Sequence, residues 1–548
     1  MLNRRSTNKI SVSGDTTKKI SNGLSNKRRG NNNNVRRERK SLPTIVWIII
    51  TAAVTLIVRE YIAAHIGDVS TIDFVPTSSS IIPSSRVVGP PSNFIVTGKL
   101  SSYIKVPSKY RKTFFIDPKT SFRRTVIRAF RNRGWRKSEV AETAHMIWDK
   151  VVLAKRFTDL KPWQRYDFIP GFSSWDKKDN FIKGFNKYKS RHPEKDLYMI
   201  PETYLLDKKE DREAFSKRLY DNNGLSIPWV LKTPDVNNGQ GITMLGPNSE
   251  ELDDVLNKVE EGSDNIIQAY ICNELTWWGN KKFDLRFYWM VVSIDPLIVL
   301  YHDGYVRVGN SKYDESDWSS TKQHLTTHTY LADEDKGTIQ NLKDLVREHY
   351  NNNIKTLEKK IKLDPFEHIR NQFKQSIAET VGAFYYDTFG QSKKKYKPQN
   401  GFGMYGADFV LDNDLDVWYV ESQAGPGLEE EFDFRVEMHR DLLRGMIDLV
   451  DEIQTKLEND PQGNVLPLQN QAGWDIVYAG NPDKHWMYHY DGYSRSKRKK
   501  GCTISDNVKG KTEKTNFNPG RKKKSSGGVL NPDAIRNAIS KVVEYTNK

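Results

Sequence analysis

The chain has little cysteine: two residues in 548, Cys272 and Cys502, far apart and in unlike contexts. Two such thiols build neither a disulfide framework nor a Cys-based metal site. No Asn-x-Ser/Thr acceptor occurs despite the abundance of Asn, which speaks against a heavily glycosylated secretory protein. No internal repeat is visible, and no Ser-His-Asp or Cys-His arrangement stands out. Net charge is also small in the middle of the chain, although the formal net charge of the whole is +16. Residues 1–40 hold twelve Lys/Arg against Asp15 and Glu38, and residues 491–528 hold twelve against Asp491, Asp506 and Glu513, which leaves the remainder at −3. A nucleic-acid-binding fold would carry its charge on a structured face, so no nucleic-acid partner is expected. Basic tails suit anionic membrane surfaces, acidic protein tails or solvent.

What is present is a globular composition. Hydrophobic residues make up 37% and aromatic residues 11%, with 13 Trp and 25 Tyr, enough to bury a sizeable core. The polar, Asn-rich segment 1–41 reads as a disordered basic tail. Residues 42–58, Leu42 to Val58, contain no charge. At ~1.5 Å per residue they nearly span the hydrocarbon core, so they predict a single N-terminal transmembrane helix. The basic block before it predicts a cytosolic N-terminus and a translocated body, in ER or Golgi membranes. An organelle transit peptide is the competing reading. Residues 59–105 read as a stem, 106–490 as the folded body, 491–528 as a basic linker, and 529–548 as a short helix with Asn531 as its N-cap and Pro532 in its first turn. Within the body, residues 123–145 have helical spacing. From 161 onward short strand-like runs alternate with helical segments, predicting a mixed α/β (α+β) fold, and 339–381 predict one or two helices.

Three stretches carry chemistry. In the first, the run from Pro228 to Lys232 reads as a strand ending in lysine. Asn237, Gly239 and Gly241 lie in a polar loop that follows it. Such a loop lets backbone N–H groups approach phosphate oxygens, and Lys232 adds a point charge. In the second, Gln268-Ala269-Tyr270-Ile271 precedes Lys282-Phe283-Asp284-Leu285-Arg286. Alternation puts Lys282, Asp284 and Arg286 on one face. The apolar run that follows would bury them, and buried charges require partners. In the third, a predicted hairpin turning at Asn413-Asp414 sets Asp408 against Glu421 and Gln423. Oxygen ligands so arranged suit magnesium, which takes one or two carboxylates plus substrate phosphates.

In combination, these stretches with Arg307, His324-Leu325-Thr326 and Pro426 resemble the tubulin–tyrosine ligase family, including its glutamylating and glycylating members. The resemblance covers roughly residues 161–440, and Lys282-Phe283-Asp284-Leu285-Arg286 is its sharpest motif. It implies an ATP-grasp fold with ATP held between two α/β subdomains. Lys232 and Lys282 would hold phosphates under the loop of Asn237, Gly239 and Gly241. Gln268, Ala269, Tyr270 and Ile271 would lie along the adenine, and Asp284 is similar to the residue that receives the ribose hydroxyls. Arg286 and Arg307 would face the acyl phosphate and acceptor carboxylate, with Lys282 beside them in the catalytic set. Asp408, Glu421 and Gln423 would hold Mg2+. Lys178 is similar to an early family lysine on the nucleotide side. The chain departs from the family pattern at Gln423, where the family has Asn, and at Thr327, also Asn in the family.

The implied reaction adds a free amino acid of Tyr, Glu or Gly type to a protein carboxylate, tubulin being one candidate. The anchor topology would place the body away from cytosolic tubulin, so either the anchor inserts the other way, the segment is a targeting sequence, or the acceptor differs. Two other readings stay open. A Golgi-type glycosyltransferase would use Asp412-Asn413-Asp414 as a metal site, and a membrane-tethered module would bind without catalysis.

Overall fold

The computed structural model describes residues 89–98, 104–120, 122–149, 159–169, 171–195, 197, 199–221, 227–234, 236, 241–247, 264–318, 320–326, 337–385, 388, 401–429, 432–481 and 483–490. The expected anchor at 42–58, the basic tails, the final helix, most of the stem, Asn237, Gly239 and Thr327 lie outside them. Among the described residues no helix is long and apolar enough to cross a membrane.

Two sheets form the frame. In chain order the strands are β1 (Thr113–Ile116), β2 (Arg136–Lys137), β3 (Met146–Trp148), β4 (Arg165–Asp167), β5 (Thr203–Leu205), β6 (Trp229–Lys232), β7 (Ile242–Leu245), β8 (Ile266–Ala269), β9 (Lys281–Ile294), β10 (Leu297–Lys312), β11 (Gly401–Leu411), β12 (Val417–Gln423), β13 (Asp475–Asn481) and β14 (Lys484–Met487). The large sheet runs β14-β13-β10-β9-β11-β4-β3-β1-β2, with β12 also paired to β11, and the small sheet runs β5-β8-β6-β7. Parallel pairing is confined to β1–β4 and the start of β11, while β9 to β14 are antiparallel. The mixed α/β expectation holds, and two sheets of this kind are consistent with an ATP-grasp domain.

The long strand β9 shows why the layers form. Alternate side chains leave opposite faces of a strand. Phe283, Leu285, Phe287, Trp289 and Val291 enter one core with α2 (Lys178–Arg191) and α5 (Pro365–Phe384). Tyr288, Met290 and Val292 enter another with α1 (Arg123–Asn132) and α6 (Asp433–Asn459). Helices on both faces explain why the run from Trp289 to Leu300 is apolar except for Ser293 and Asp295. Phe287 meets Phe373 of α5 edge-on at 4.5 Å and 87°, a favourable aromatic geometry. Helix α3 (Lys209–Asp221) packs with β5, and α4 (Ile339–Asn352) packs on α5 and β10. Asp364 caps α5 by accepting from Phe366 N and Glu367 N, with Pro365 in the first turn, which satisfies otherwise orphaned donors.

Of the stretch with helical spacing over 123–145, the α-helix runs only to Asn132, and a single 3-10 turn follows at Ala141–Thr143. Gly134 adopts φ 75, a left-handed conformation that ends helices and suits glycine. The chain then turns into β2, the edge strand of the large sheet.

Candidate active site

The charged row predicted on β9 is formed by sheet register. Arg307 of β10 lies opposite Asp284 of β9. Asp408 of β11 lies opposite Arg286 of β9, and Glu421 of β12 lies opposite Asp408. Lys282, Asp284 and Arg286 extend the face that carries Tyr288, Met290 and Val292. The β10 register shifts between His302 and Tyr305, and Gly304 sits in that irregularity. A Cβ there would lie 1.9 Å from Arg286 O, so only glycine lets the two backbones approach this closely.

The side chains join into one chain of alternating charge. Arg307 donates to Asp284 from Nε at 2.5 Å and from Nη2 at 2.8 Å. Its Nη2 also lies 2.9 Å from Asp408 Oδ2. Arg286 donates to both oxygens of Asp408, and its Nη2 donates to Gln423 Oε1 at 2.8 Å. Gln423 Nε2 donates to Glu421 Oε1. Lys178 lies 3.6 Å from Glu421 Oε2 of β12 and donates to Val236 O at 2.9 Å. Both arginines and Asp408 are buried. Burial alone would push the Asp408 carboxyl up, but Arg286 and Arg307 outweigh it and hold it well below the usual range. Burial likewise opposes charge on Arg286 and Arg307, and the facing aspartates more than offset it.

Two further lysines complete the site. Lys232, at the end of β6, is buried and donates to Gln268 Oε1 at 2.6 Å, while Gln268 Nε2 donates to Thr203 Oγ1 at 2.8 Å. Burial pushes Lys232 down to about 8, partly countered by Glu421. An amide partner does not neutralise an ammonium, so this lysine fits an anionic ligand. Lys282 instead forms a buried ion pair with Glu274 and donates to Tyr270 OH at 3.1 Å. The Tyr270 hydroxyl also bonds His324 Nδ1 at 3.0 Å and the Tyr313 hydroxyl at 3.1 Å. His324 stacks on Trp318 at 4.6 Å.

The structure thus brings together Lys178, Arg286, Arg307, Asp284, Asp408, Glu421 and Gln423, with Lys232 reaching toward Glu421 from the small sheet. It places Lys282 in a separate pair. Ala269 and Tyr270 direct their amides to Glu202 O and Pro228 O, and Ile271 follows at the rim. Gly241 adopts φ 66, and its carbonyl accepts from Thr233 N at 2.9 Å. Sequence reasoning missed Glu274, Thr203 and Tyr313. A signal existed for Glu274, since a buried lysine needs an acid and this one lies eight positions upstream.

Asp408 and Glu421 suit a divalent cation that also takes phosphate oxygens. Gln423 offers an amide oxygen to such an ion only if its amide turns over, because Oε1 now faces Arg286. Among the described residues no group of three His, Cys, Asp or Glu is arranged for a metal. Asp412 does not form a metal site with Asp414: its Oδ1 accepts from Asp414 N at 3.0 Å and Asp416 N at 2.8 Å, and its Oδ2 accepts from Trp418 Nε1 at 3.0 Å. It holds the hairpin turn, so the glycosyltransferase reading loses its motif.

The family model for the tubulin-tyrosine ligase family matches residues 158–461, more than half of the chain. The chain belongs to the tubulin-tyrosine ligase family. Among curated relatives, it is 26% identical over 304 residues to the protein polyglycylase TTLL10 of Rattus norvegicus, covering 52% of this chain and 43% of that one. It is 24% identical over 332 residues to the probable tubulin polyglutamylase TTLL2 of Mus musculus, covering 58% and 57%. It is 27% identical over 303 residues to the inactive polyglycylase TTLL10 of Homo sapiens, covering 52% and 43%. The matches span about half the length of these relatives. Strands β1–β3 and β13–β14 lie outside the family-matched stretch yet extend the same large sheet.

Proposed function

We propose that this family member is an ATP- and Mg2+-dependent ligase that joins an amino acid, glutamate or glycine, to a carboxylate of a protein. The observation that carries the reading is the connected run from Lys178 through Glu421, Gln423, Arg286, Asp408 and Arg307 to Asp284, buried at Arg286, Asp408 and Arg307 and half-buried elsewhere, with Lys232 set near it and bonded to the Gln268 amide rather than, among the described residues, to a carboxylate. That array suits a triphosphate and a developing acyl phosphate. A carboxylate oxygen attacks the γ-phosphorus, the bond to the ADP oxygen breaks, and ADP leaves. An amine nitrogen then forms a bond to the activated carbonyl carbon, phosphate departs, and the amine loses a proton. Lys232 and Lys178 would hold phosphate oxygens, and Arg286 and Arg307 would face the charge that develops on the transferring group, preorganised by Asp408 and Asp284. Mg2+, when bound by Asp408, Glu421 and a turned Gln423, would supply charge neutralisation at the phosphates.

An acidic acceptor is supported by the N-terminal part of the body. Between residues 105 and 137 twelve Lys/Arg stand against one acid, Asp117. Arg124, Arg128 and Arg131 of α1 are exposed at helical spacing on one face, where they suit a carboxylate-rich segment. The relatives' glutamylase and glycylase names favour those two amino acids, and tubulin is the first acceptor to test. The test is to incubate the full chain with Mg-ATP, tubulin and radiolabelled glutamate or glycine. Label bound covalently to protein, with matching ADP, is expected. Mg-ATP binding without any incorporated label would favour the second reading, a nucleotide-binding protein without ligation. The Gln423 amide orientation and the inactive human relative are what support that reading.

A further inference from the structure

We propose that Glu429 receives the ammonium group of the incoming amino acid and so sets the attacking nitrogen beside the acyl phosphate. The inference rests on the ligase reading above and adds to it the place where the donor docks. It starts from the connection between β12 and α6, which runs Ala424-Gly425-Pro426-Gly427-Leu428-Glu429. Leu428 is buried in the core that Tyr288 and Met290 enter. Tyr288 donates to Gly427 O at 3.4 Å. These two contacts seat the connection against β9, with Gly427 half-buried and Glu429 exposed at the rim of the site. Gly427 has φ 68, the left-handed region that favours glycine. Its bare Cα leaves a gap. A Cβ there would lie 3.1 Å from Arg286 Nη1 and 3.2 Å from Glu429 Oε2. A cation and a carboxylate therefore flank one space. Gly425 has no atom within 4 Å of where its side chain would be, so the space continues outward.

Both flanking groups keep capacity for a ligand. Arg286 spends Nε and Nη2 on Asp408 and Gln423. The arginine is buried, yet among the described residues its Nη1 has no hydrogen-bond partner. Among the same residues Glu429 makes no hydrogen bond or ion pair. Tyr288 lies against the same gap. Burial and Tyr305 push its hydroxyl well above the usual range, Arg286 and Arg435 oppose them, and Glu429 adds to them. The idle arm of Arg286 suits the anionic transferring group. A carboxylate beside it would repel that same anion, so the ligand that fits Glu429 is a cation. The reaction supplies one, because a free amino acid at neutral pH carries its nitrogen as ammonium. Held on Glu429, the nitrogen gives one proton to water, attacks the carbonyl carbon next to Arg286, and gives up a second proton as the C–N bond forms and phosphate leaves.

The experiment gives the full chain and Glu429→Gln the same Mg-ATP and tubulin and compares two kinds of nucleophile. Radiolabelled glycine and glutamate carry an ammonium. Hydroxylamine is largely uncharged near neutral pH and captures an activated carbonyl as a hydroxamate. With either amino acid the variant is expected to raise KM about tenfold at similar kcat, the scale of one exposed charge-assisted hydrogen bond. With hydroxylamine it should stay within about threefold of the parent, and so should its Mg-ATP affinity by calorimetry. Glu429→Asp keeps the charge and should recover part of the loss. The proposal is overturned if Glu429→Gln leaves the amino-acid KM unchanged. It is equally overturned if hydroxamate formation or Mg-ATP affinity falls in step with amino-acid use, since Glu429 would then serve the nucleotide, the metal or the fold. A parent chain that yields neither labelled tubulin nor hydroxamate overturns the ligase reading, and this inference with it.

Discussion

Replacing Lys232 with methionine should stabilise the protein while removing its grip on nucleotide. Burial lowers the lysine from 10.5 to about 8, which corresponds to roughly 3 kcal/mol against the protonated form at neutral pH. Below pH 8 folded and unfolded chains both hold the proton, so the whole penalty is present. Between about 8 and 10.5 the unfolded chain binds more protons than the folded one, so the parent gains stability as pH rises. Methionine is close in length and carries no charge. It leaves Gln268 Oε1 without the Lys232 bond, which costs about 1 kcal/mol. The net expectation is a variant about 2 kcal/mol more stable than the parent at pH 7, an advantage that falls as pH rises above 8 and turns into a deficit of about 1 kcal/mol once the lysine is neutral in both states. Urea unfolding at pH 7 and pH 9.5 measures both values, and added Mg-ATP should raise the midpoint of the parent alone. A variant less stable than the parent at pH 7, or a difference that ignores pH, would refute the view that Lys232 waits for an anion.

Asp408→Asn removes the carboxylate shared by Arg286 and Arg307, and breaking such a buried pair is expected to lower stability by about 3–5 kcal/mol in denaturant titration. Because Asp408 is held below the ordinary carboxylate range, its contribution is complete above about pH 4 and is lost as pH falls further, so parent and variant stabilities should converge in acid. Glu421→Gln should weaken the response to Mg2+ in ATP binding while leaving the melting temperature without ligand nearly unchanged; an unaltered Mg2+ titration would remove Glu421 from the metal set. Charge reversal at Arg124, Arg128 and Arg131 should reduce binding of an acidic acceptor, most at low salt, and leave Mg-ATP binding intact. Equal binding by parent and variant would dissociate α1 from acceptor recruitment.

Much of the site was legible because strand alternation is a local property. The common face of Lys282, Asp284 and Arg286 follows from period two, and the hairpin that opposes Asp408 to Glu421 follows from its Asn413-Asp414 turn. What could not be read was pairing at a distance. Arg307 meets Asp284 because the irregularity at Gly304 shifts β10 against β9, and no short sequence window states that register. The same holds for Glu274, whose partner Lys282 becomes evident only once Trp277 and Lys281 pair and fold the segment back. The contacts of Asp284 with β10 and with Thr326 are set in the same way. At the N-terminal side, the spacing in 123–145 is helix-like. Gly134 ends the helix, and Arg136–Lys137 gains a strand partner in β1 that composition does not announce.

The central claim is that the two sheets hold Mg-ATP between Lys232 and the Asp408–Glu421 hairpin. Titration calorimetry of the full chain with ATP, with and without Mg2+, tests it most directly, beside Lys232→Met and Glu421→Ala. The account predicts saturable, Mg2+-dependent binding by the parent, loss of binding with Lys232→Met, and loss of the Mg2+ dependence with Glu421→Ala. Folded parent protein that takes up no ATP, or binding untouched by both substitutions, would contradict it.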